Sequence, residues 1–589
     1  MFLKKWKEIK SWKVFKNLRI NIVFFLIFFA AALILVRLFD LQITKGGYYK
    51  ALAQGQQSSI LEVAPKRGGV YFSNGDPLAV TNEEPFLRIC VKEMEDQDKA
   101  AEEIAKIVGK SKEEIVEIIE TGEGYYKTVK ENLLKEETEK IKELDMPGVE
   151  TAWQNKRVYP NLNTASQIVG FLNKDGQGQY GIEEYFNDLL TGEEKLEEEK
   201  VTPWGFLFSG TNDTSGQETS LYLTIDPNIQ FKAEQVLKEG LEKYGAASGE
   251  IIVAEPGTGK IIAMAQDPNF DPNKYGESEM EYFSNKCVQV PFEPGSIFKP
   301  ITIAIALEEG KISPDTTFVD NLGYRLVSGY KVYNYSQKAW GTRTMSESLQ
   351  YSINVGVMDA ETLIGNQTFY EYIKNFGFME RTGVELAGEF TSQNSQLKTS
   401  LDNGIQVNFA NASFGQGIEM TPLQIIRAFC GIANDGRMPE SMTVIEKEIV
   451  DGKEKTMPEK NYKTVVSKET TDKLAKMMVN VVENGYGHLA KIPGYYIAGK
   501  TGTAQVPYSV LGENRSGYSD HTWQTFMGFA PAYDPRFVIL VKLDNPQKTK
   551  TSEYSSVPMF HDLAKYILDY WQIPPDYDVD AAQAASAGK

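Results

Sequence analysis

The stretch GYYIAGKTGTAQ, Gly494 to Gln505, fits two chemistries. Gly494, Gly499, Lys500 and Thr501 satisfy the spacing of a phosphate-cradling loop. Lys500-Thr501-Gly502 equally satisfies the K-T-G triplet of serine acyl-enzymes. A phosphate loop needs a strand before its first glycine and a helix directly after its lysine. Here Pro493 spoils the preceding strand, and Gly502 and Pro507 spoil the following helix. Tyr495, Tyr496, Ile497, Thr501 and Thr503 favour a strand running through the motif itself. The nucleotide reading is therefore set aside.

An acyl-enzyme needs a serine and a base within hydrogen-bond reach of it. Ser-x-x-Lys occurs at Ser296–Lys299, Ser328–Lys331 and Ser395–Lys398. Ser-x-Asn occurs at Ser352–Asn354 and Ser392–Asn394. Only Ser296 opens an apolar helix, SIFKPITIAIALEEG, with Lys299 one turn on and on the same face. Ser328 lies in a strand-like string, and TSQNSQLKTS around Ser395 reads as a polar loop. An ordinary lysine titrates near ~10.4, so acting as a base near neutrality requires a shift of about three units. An apolar helix wall and a second cation, Lys500, both push that way. A histidine-activated serine is the weaker alternative: the chain has only His488, His521 and His561, and no G-x-S-x-G elbow.

The elements that must position these groups are legible in outline. The chain has 589 residues, enough for two or three domains, and a net charge of −18, which argues against a nucleic-acid partner. A basic tail (1–19) precedes an apolar run from Ile20 to Phe39, read as an uncleaved transmembrane anchor rather than a signal peptide. The basic flank places the rest of the chain outside the cytoplasm. Cys90, Cys287 and Cys430 are too few and odd in number for a disulfide framework. Residues 42–217 read as small α+β units, with a capping box at Ser111 and Glu114, a solvated helix from Lys135 to Leu144, and a solvated acidic run from Glu193 to Lys200. Residues 218–572 begin and end in strands around a helical middle, which suggests an antiparallel sheet completed by distant parts of the chain. The tail 573–589 reads as disordered.

The three motifs, in this order, resemble those of the penicillin-binding transpeptidases. LTIDPNIQ, FEPGSIFKP, YSINVG, TGVELAGE, SFGQGIEMTPLQ and AGKTGTAQ extend the likeness over Leu221 to Tyr570. APKRGGVYFSNGDPLA resembles the pedestal of the class B, monofunctional branch. There the family usually has Asp-Arg where this chain has Phe72 and Ser73, which puts pedestal–catalytic coupling in doubt. The resemblance implies an α+β fold: anchor, pedestal, then a transpeptidase domain with an antiparallel sheet flanked by helices and an all-helical subdomain. It implies that Ser296 is acylated by a stem peptide and that Lys299 takes its proton. Ser352 would relay a proton to the leaving amine, and Asn354 would hold the substrate amide. Lys500, Thr501 and Thr503 would bind the terminal carboxylate, Gly502 would leave the strand edge clear, and the Ser296 and Thr503 N–H groups would form the oxyanion hole. β-Lactams would inhibit it, with no cofactor and no metal. A SEDS-type glycan polymerase in the bacterial membrane is the implied partner. DPRFVILVKLDNP leans toward septal division over elongation. A β-lactam sensor or slow β-lactamase and a non-catalytic division scaffold remain as alternatives.

Overall fold

A computed structural model describes residues 18–39, 66–121, 126–192, 200–201, 207–208, 219–455 and 461–579. The basic tail up to residue 17, most of the acidic run 193–200 and the end of the chain from 580 lie outside these residues. The apolar run forms a helix, Leu18–Phe39, exposing Phe25, Leu26, Phe28 and Leu35 among others. Among the described residues, no helix is long and apolar enough to cross a membrane.

The catalytic half is built on a five-stranded antiparallel sheet. In spatial order its strands are Ile261–Asp267, Ser248–Ala254, Phe537–Asp544, Tyr518–Ala530 and Ala498–Pro507. Both ends of the sequence region contribute, as its strand-like termini imply. Side chains alternate across the sheet. Ile251 and Val253 pack with the helices Pro227–Tyr244 and Ser556–Tyr570. Ile252 and Ala254 face the opposite core, shared with the helical subdomain. In that core the helix Lys299–Glu308 is buried continuously from Lys299 to Leu307, which fits its apolar character on every face. The strand Ala498–Pro507 is the sheet's edge, so one row of its backbone groups points away from the sheet.

The pedestal strand Val70–Tyr71 runs parallel to Thr219–Leu223, which pairs antiparallel with Ile445–Val450. Those strands belong to one seven-stranded sheet that also holds Pro77–Cys90, Tyr126–Lys130 and Val149–Val158. Strands from both sides of the boundary expected at 217/218 therefore share one sheet. The Phe72–Ser73 substitution does not uncouple the halves. Phe72 is buried in the core that contains Leu223, Ile225 and Ile297, and the Ser73 N–H donates to Ile225 O at 3.0 Å. Tyr159 and Asn273 exchange two hydrogen bonds, and Phe171 stacks on Tyr275 at 4.3 Å. The Ser111–Glu114 capping box is present, and Lys135–Leu144 is a helix burying only Thr138 and Ile141.

Two sequence expectations need correction. Ser395 opens a helix, Ser395–Asp402, in place of a loop; Leu397 and Ser400 supply its buried side. The tail 573–579 is docked, not disordered. Ile573 is buried, Tyr495 donates to Ile573 O at 2.5 Å, and Tyr496 N–H donates to Asp576 Oδ2 at 2.8 Å. Its apolar and hydrogen-bonding groups find partners on the approach to the Lys500 strand, which composition alone does not reveal.

Candidate active site

Pro294 and Gly295 lead into a 3₁₀ turn, Gly295–Phe298, that continues as the buried helix. Gly295 has φ +57°, and a Cβ there would lie 2.8 Å from the Ala504 methyl. Glycine lets the turn press against the edge strand, bringing Ser296 beside Lys500, Thr501 and Thr503. From the helical side comes Ser352, just beyond the helix Met345–Gln350, in a left-handed conformation with φ +55°. That conformation is costly for serine and is held by its surroundings.

Two buried ammonium groups converge on Ser352. Its Oγ accepts from Lys299 Nζ at 3.1 Å and from Lys500 Nζ at 3.0 Å. Lys299 also donates to the Ser352 carbonyl at 2.6 Å, and Lys500 to Thr501 O and Oγ1 at 2.9 and 3.2 Å. Both lysines are 0% exposed, and among the described residues neither has a carboxylate partner. Burial, and then repulsion from Lys500, hold Lys299 well below the usual lysine range. Burial brings Lys500 down to about 7. Half-buried Ser296 lines the same cleft, of about 850 Å³ with its open mouth, as Ser352, Thr501 and Thr503. A hydroxyl nucleophile, a hydroxyl bridge and two lysines poised to be neutral or charged can move a proton away from Ser296 and onto a leaving group. Among the described residues no cluster of His, Cys, Asp or Glu could hold a metal ion.

A family model described as "Penicillin binding protein transpeptidase domain" matches residues 249–565, and a "Penicillin-binding Protein dimerisation domain" model matches 62–218. The chain belongs to the class B penicillin-binding proteins. It is a monofunctional serine-type transpeptidase. It is 30% identical to stage V sporulation protein D of Bacillus subtilis over 90% of this chain and 83% of that one. It is 29% identical to the peptidoglycan D,D-transpeptidase FtsI of Escherichia coli, over 74% and 71% of the two chains. Penicillin-binding protein 3 of Mycobacterium tuberculosis, solved with aztreonam, superposes with a TM-score of 0.66 at 26% identity, over 88% of this chain and 98% of that one.

Within this penicillin-binding fold, two expected site residues also make contacts that their motifs do not announce. Asn354 starts the helix Asn354–Ile364, and its Nδ2 donates to Tyr333 O at 2.8 Å, tying that helix to a hairpin. Gly502 is required by packing: a Cβ there would meet Thr525 Oγ1 at 2.2 Å and Ile297 Cγ2 at 3.0 Å. The side chain it lacks would point at the sheet and the nucleophile turn. Beside Tyr351 of the YSINVG motif, the cleft contains residues the motifs do not announce, among them Trp340, Tyr486, Ser552 and Glu553. Ser552 N–H donates to Thr503 Oγ1 at 3.2 Å, and Thr503 returns a bond to Ser552 Oγ at 3.3 Å. Trp340 stacks on Tyr351 at 5.1 Å, and Tyr351 meets Tyr486 edge-on at 6.3 Å. Clusters of aromatic residues near the second motif were the available signal, but the same pattern serves any core.

Proposed function

We propose that the chain is a peptidoglycan D,D-transpeptidase of septal wall synthesis, anchored in the bacterial membrane by its N-terminal helix and inhibited by β-lactams. The convergence of Lys299 and Lys500 on Ser352, beside Ser296, carries this reading. Ser296 Oγ attacks the carbonyl of the penultimate D-Ala while its proton passes to neutral Lys299. Through Ser352, 3.1 Å away, the proton reaches the leaving amine, and the C–N bond to the terminal D-Ala breaks. Protonated Lys500, with Thr501 and Thr503, binds the terminal carboxylate, and the Ser296 and Thr503 N–H groups stabilise the oxyanion. An acceptor amine of a neighbouring stem peptide then displaces Ser296. Asn354 holds the substrate amide once its bond to Tyr333 O is exchanged.

The septal assignment is supported by FtsI among the relatives, and the aztreonam complex of a related chain supports β-lactam binding. The anchor rests on the apolar Leu18–Phe39 sequence, whose 22 residues rise ~33 Å as a helix. The class B family supports a SEDS-type polymerase as the partner that supplies the glycan strands. The test is mass spectrometry of the protein after penicillin. A single adduct on Ser296, absent in Ser296→Ala, is expected; an adduct on Ser328 or Ser395 contradicts the reading. For the membrane assembly, exchanging residues 18–39 for an unrelated apolar helix should weaken co-purification with the polymerase and spare acylation.

A further inference from the structure

The cleft is electrically lopsided. Lys299 and Lys500 stand behind it, bonded to its lining residue Ser352, whereas Glu553 is the one carboxylate among its described lining residues. Glu553 follows Ser552, whose N–H bonds Thr503 Oγ1, so it lies a single residue step, ~3.8 Å along the chain, from the wall of the carboxylate-binding strand. The Glu553 side chain is only 15% exposed, and the Nδ1 of His488, whose side chain is 46% exposed, lies 3.4 Å away. Tyr486 lines the same cleft as Glu553, and burial, and next the Glu553 carboxylate, push its phenol up. The aromatic wall continuing from Tyr486 already attracts cations of this chain: Lys338 Nζ sits 3.8 Å over Trp340, and Arg343 Cζ sits 5.8 Å from the Tyr351 ring centre.

A carboxylate withdrawn from water beside aromatic rings favours an ammonium over any neutral group of similar size. We propose that Glu553, backed by Tyr486, is a recognition subsite for a side-chain ammonium of the stem peptide. The cleft then reads two opposite charges, with the terminal carboxylate at Lys500 and the ammonium at Glu553. Glu553 is thereby a specificity residue, and the inference rests on the peptide-transpeptidase reading above. The ammonium belongs either to the donor peptide or to the acceptor that attacks the acyl-enzyme, and the two are separable.

The experiment compares the parent chain with Glu553→Gln and Glu553→Asp, each checked for an unchanged melting curve. In the donor arm, D-Ala release is measured from a synthetic peptide ending Lys-D-Ala-D-Ala and from its Nε-acetyl form. In the acceptor arm, the acyl-enzyme is partitioned between water and an amine whose carrier does or does not bear a second free ammonium. The parent should favour the ammonium form roughly tenfold in kcat/KM in one arm. Glu553→Gln should bring that ratio near one, and Glu553→Asp should keep part of it. A structural role for Glu553 would lower both forms together and leave the ratio unchanged. A ratio that Glu553→Gln does not alter in either arm overturns the proposal. Penicillin labelling of Ser296 without D-Ala release from either peptide would instead defeat the peptide-transpeptidase reading itself.

Discussion

Lys542 and Lys500 stand on strands of the same sheet, both buried, and their charges are treated in opposite ways. Lys542 is matched by Glu250 at 2.8 Å and Asp544 at 2.6 Å. Burial pulls its pKa down, but the two carboxylates outweigh burial and hold it above the usual lysine range. Lys500 faces a hydroxyl, a carbonyl and another lysine, and burial brings it to about 7. The pedestal repeats the compensated design: Glu183, fully buried, takes Arg67 at 2.7 Å and Arg157 at 2.8 Å. A buried cation with counter-ions is fixed in one state and organises structure. A buried cation without them sits near its titration point and can exchange a proton.

The largest effect expected from this contrast is at Lys299. Lys299→Arg keeps the charge but removes the group that can accept a proton, so penicillin acylation of Ser296 should fall by about 10³-fold. Rapid-quench labelling checks this, and a near-parental rate would break the assignment of the base. Next comes Lys542→Met, which leaves Glu250 and Asp544 buried without their cation. Urea unfolding should show a loss of about 3–5 kcal/mol, while the folded fraction still acylates within a few-fold of parent. A large fall in acylation per folded molecule would mean that the compensated lysine is not merely structural.

Smaller effects sharpen the comparison. Lys500→Arg should keep carboxylate binding with about tenfold loss, because arginine retains the charge and the donors. It should also remove the alkaline fall in acylation expected above about pH 7, where Lys500 sheds its proton. Glu293, three residues before Ser296, accepts from Tyr518 OH at 3.0 Å, and burial raises its carboxyl to about 7. The folded state therefore binds the proton more tightly than the unfolded one between about pH 4.5 and 7. Its contribution is fully present below that window and lost as pH rises through it. Glu293→Gln should gain roughly 1–3 kcal/mol of stability relative to parent between pH 5 and 8, measured by urea unfolding at both values.

Much of this design is legible in the residues. The β-branched and aromatic residues around Lys500 specify a strand, and the apolar sequence after Ser296 specifies a buried helix; both are present. What the motifs do not carry is which groups meet. Lys299 bonds Ser352, which is 53 positions away, because the left-handed turn at Ser352 aims both its oxygens at the lysine. Gly502 matches a motif, yet its necessity comes from Thr525 and Ile297, brought close by strand pairing and by the nucleophile turn. The helix at Ser395 hides in a polar string because only one of its faces, at Leu397 and Ser400, is buried. Glu553 and the aromatic wall escape notice for the same reason: nothing local marks a cleft assembled from distant loops.

The central claim is that removal of counter-charge makes the lysines of the cleft reactive. The pH dependence of the second-order rate constant for penicillin acylation of Ser296 tests it most directly, with the adduct counted by mass spectrometry. Acylation should rise as Lys299 becomes neutral well below the usual lysine range and should fall above about pH 7 as Lys500 loses its proton. A rate that keeps climbing until the ordinary lysine range near ~10.4 would show that Lys299 is not depressed, and would contradict the account.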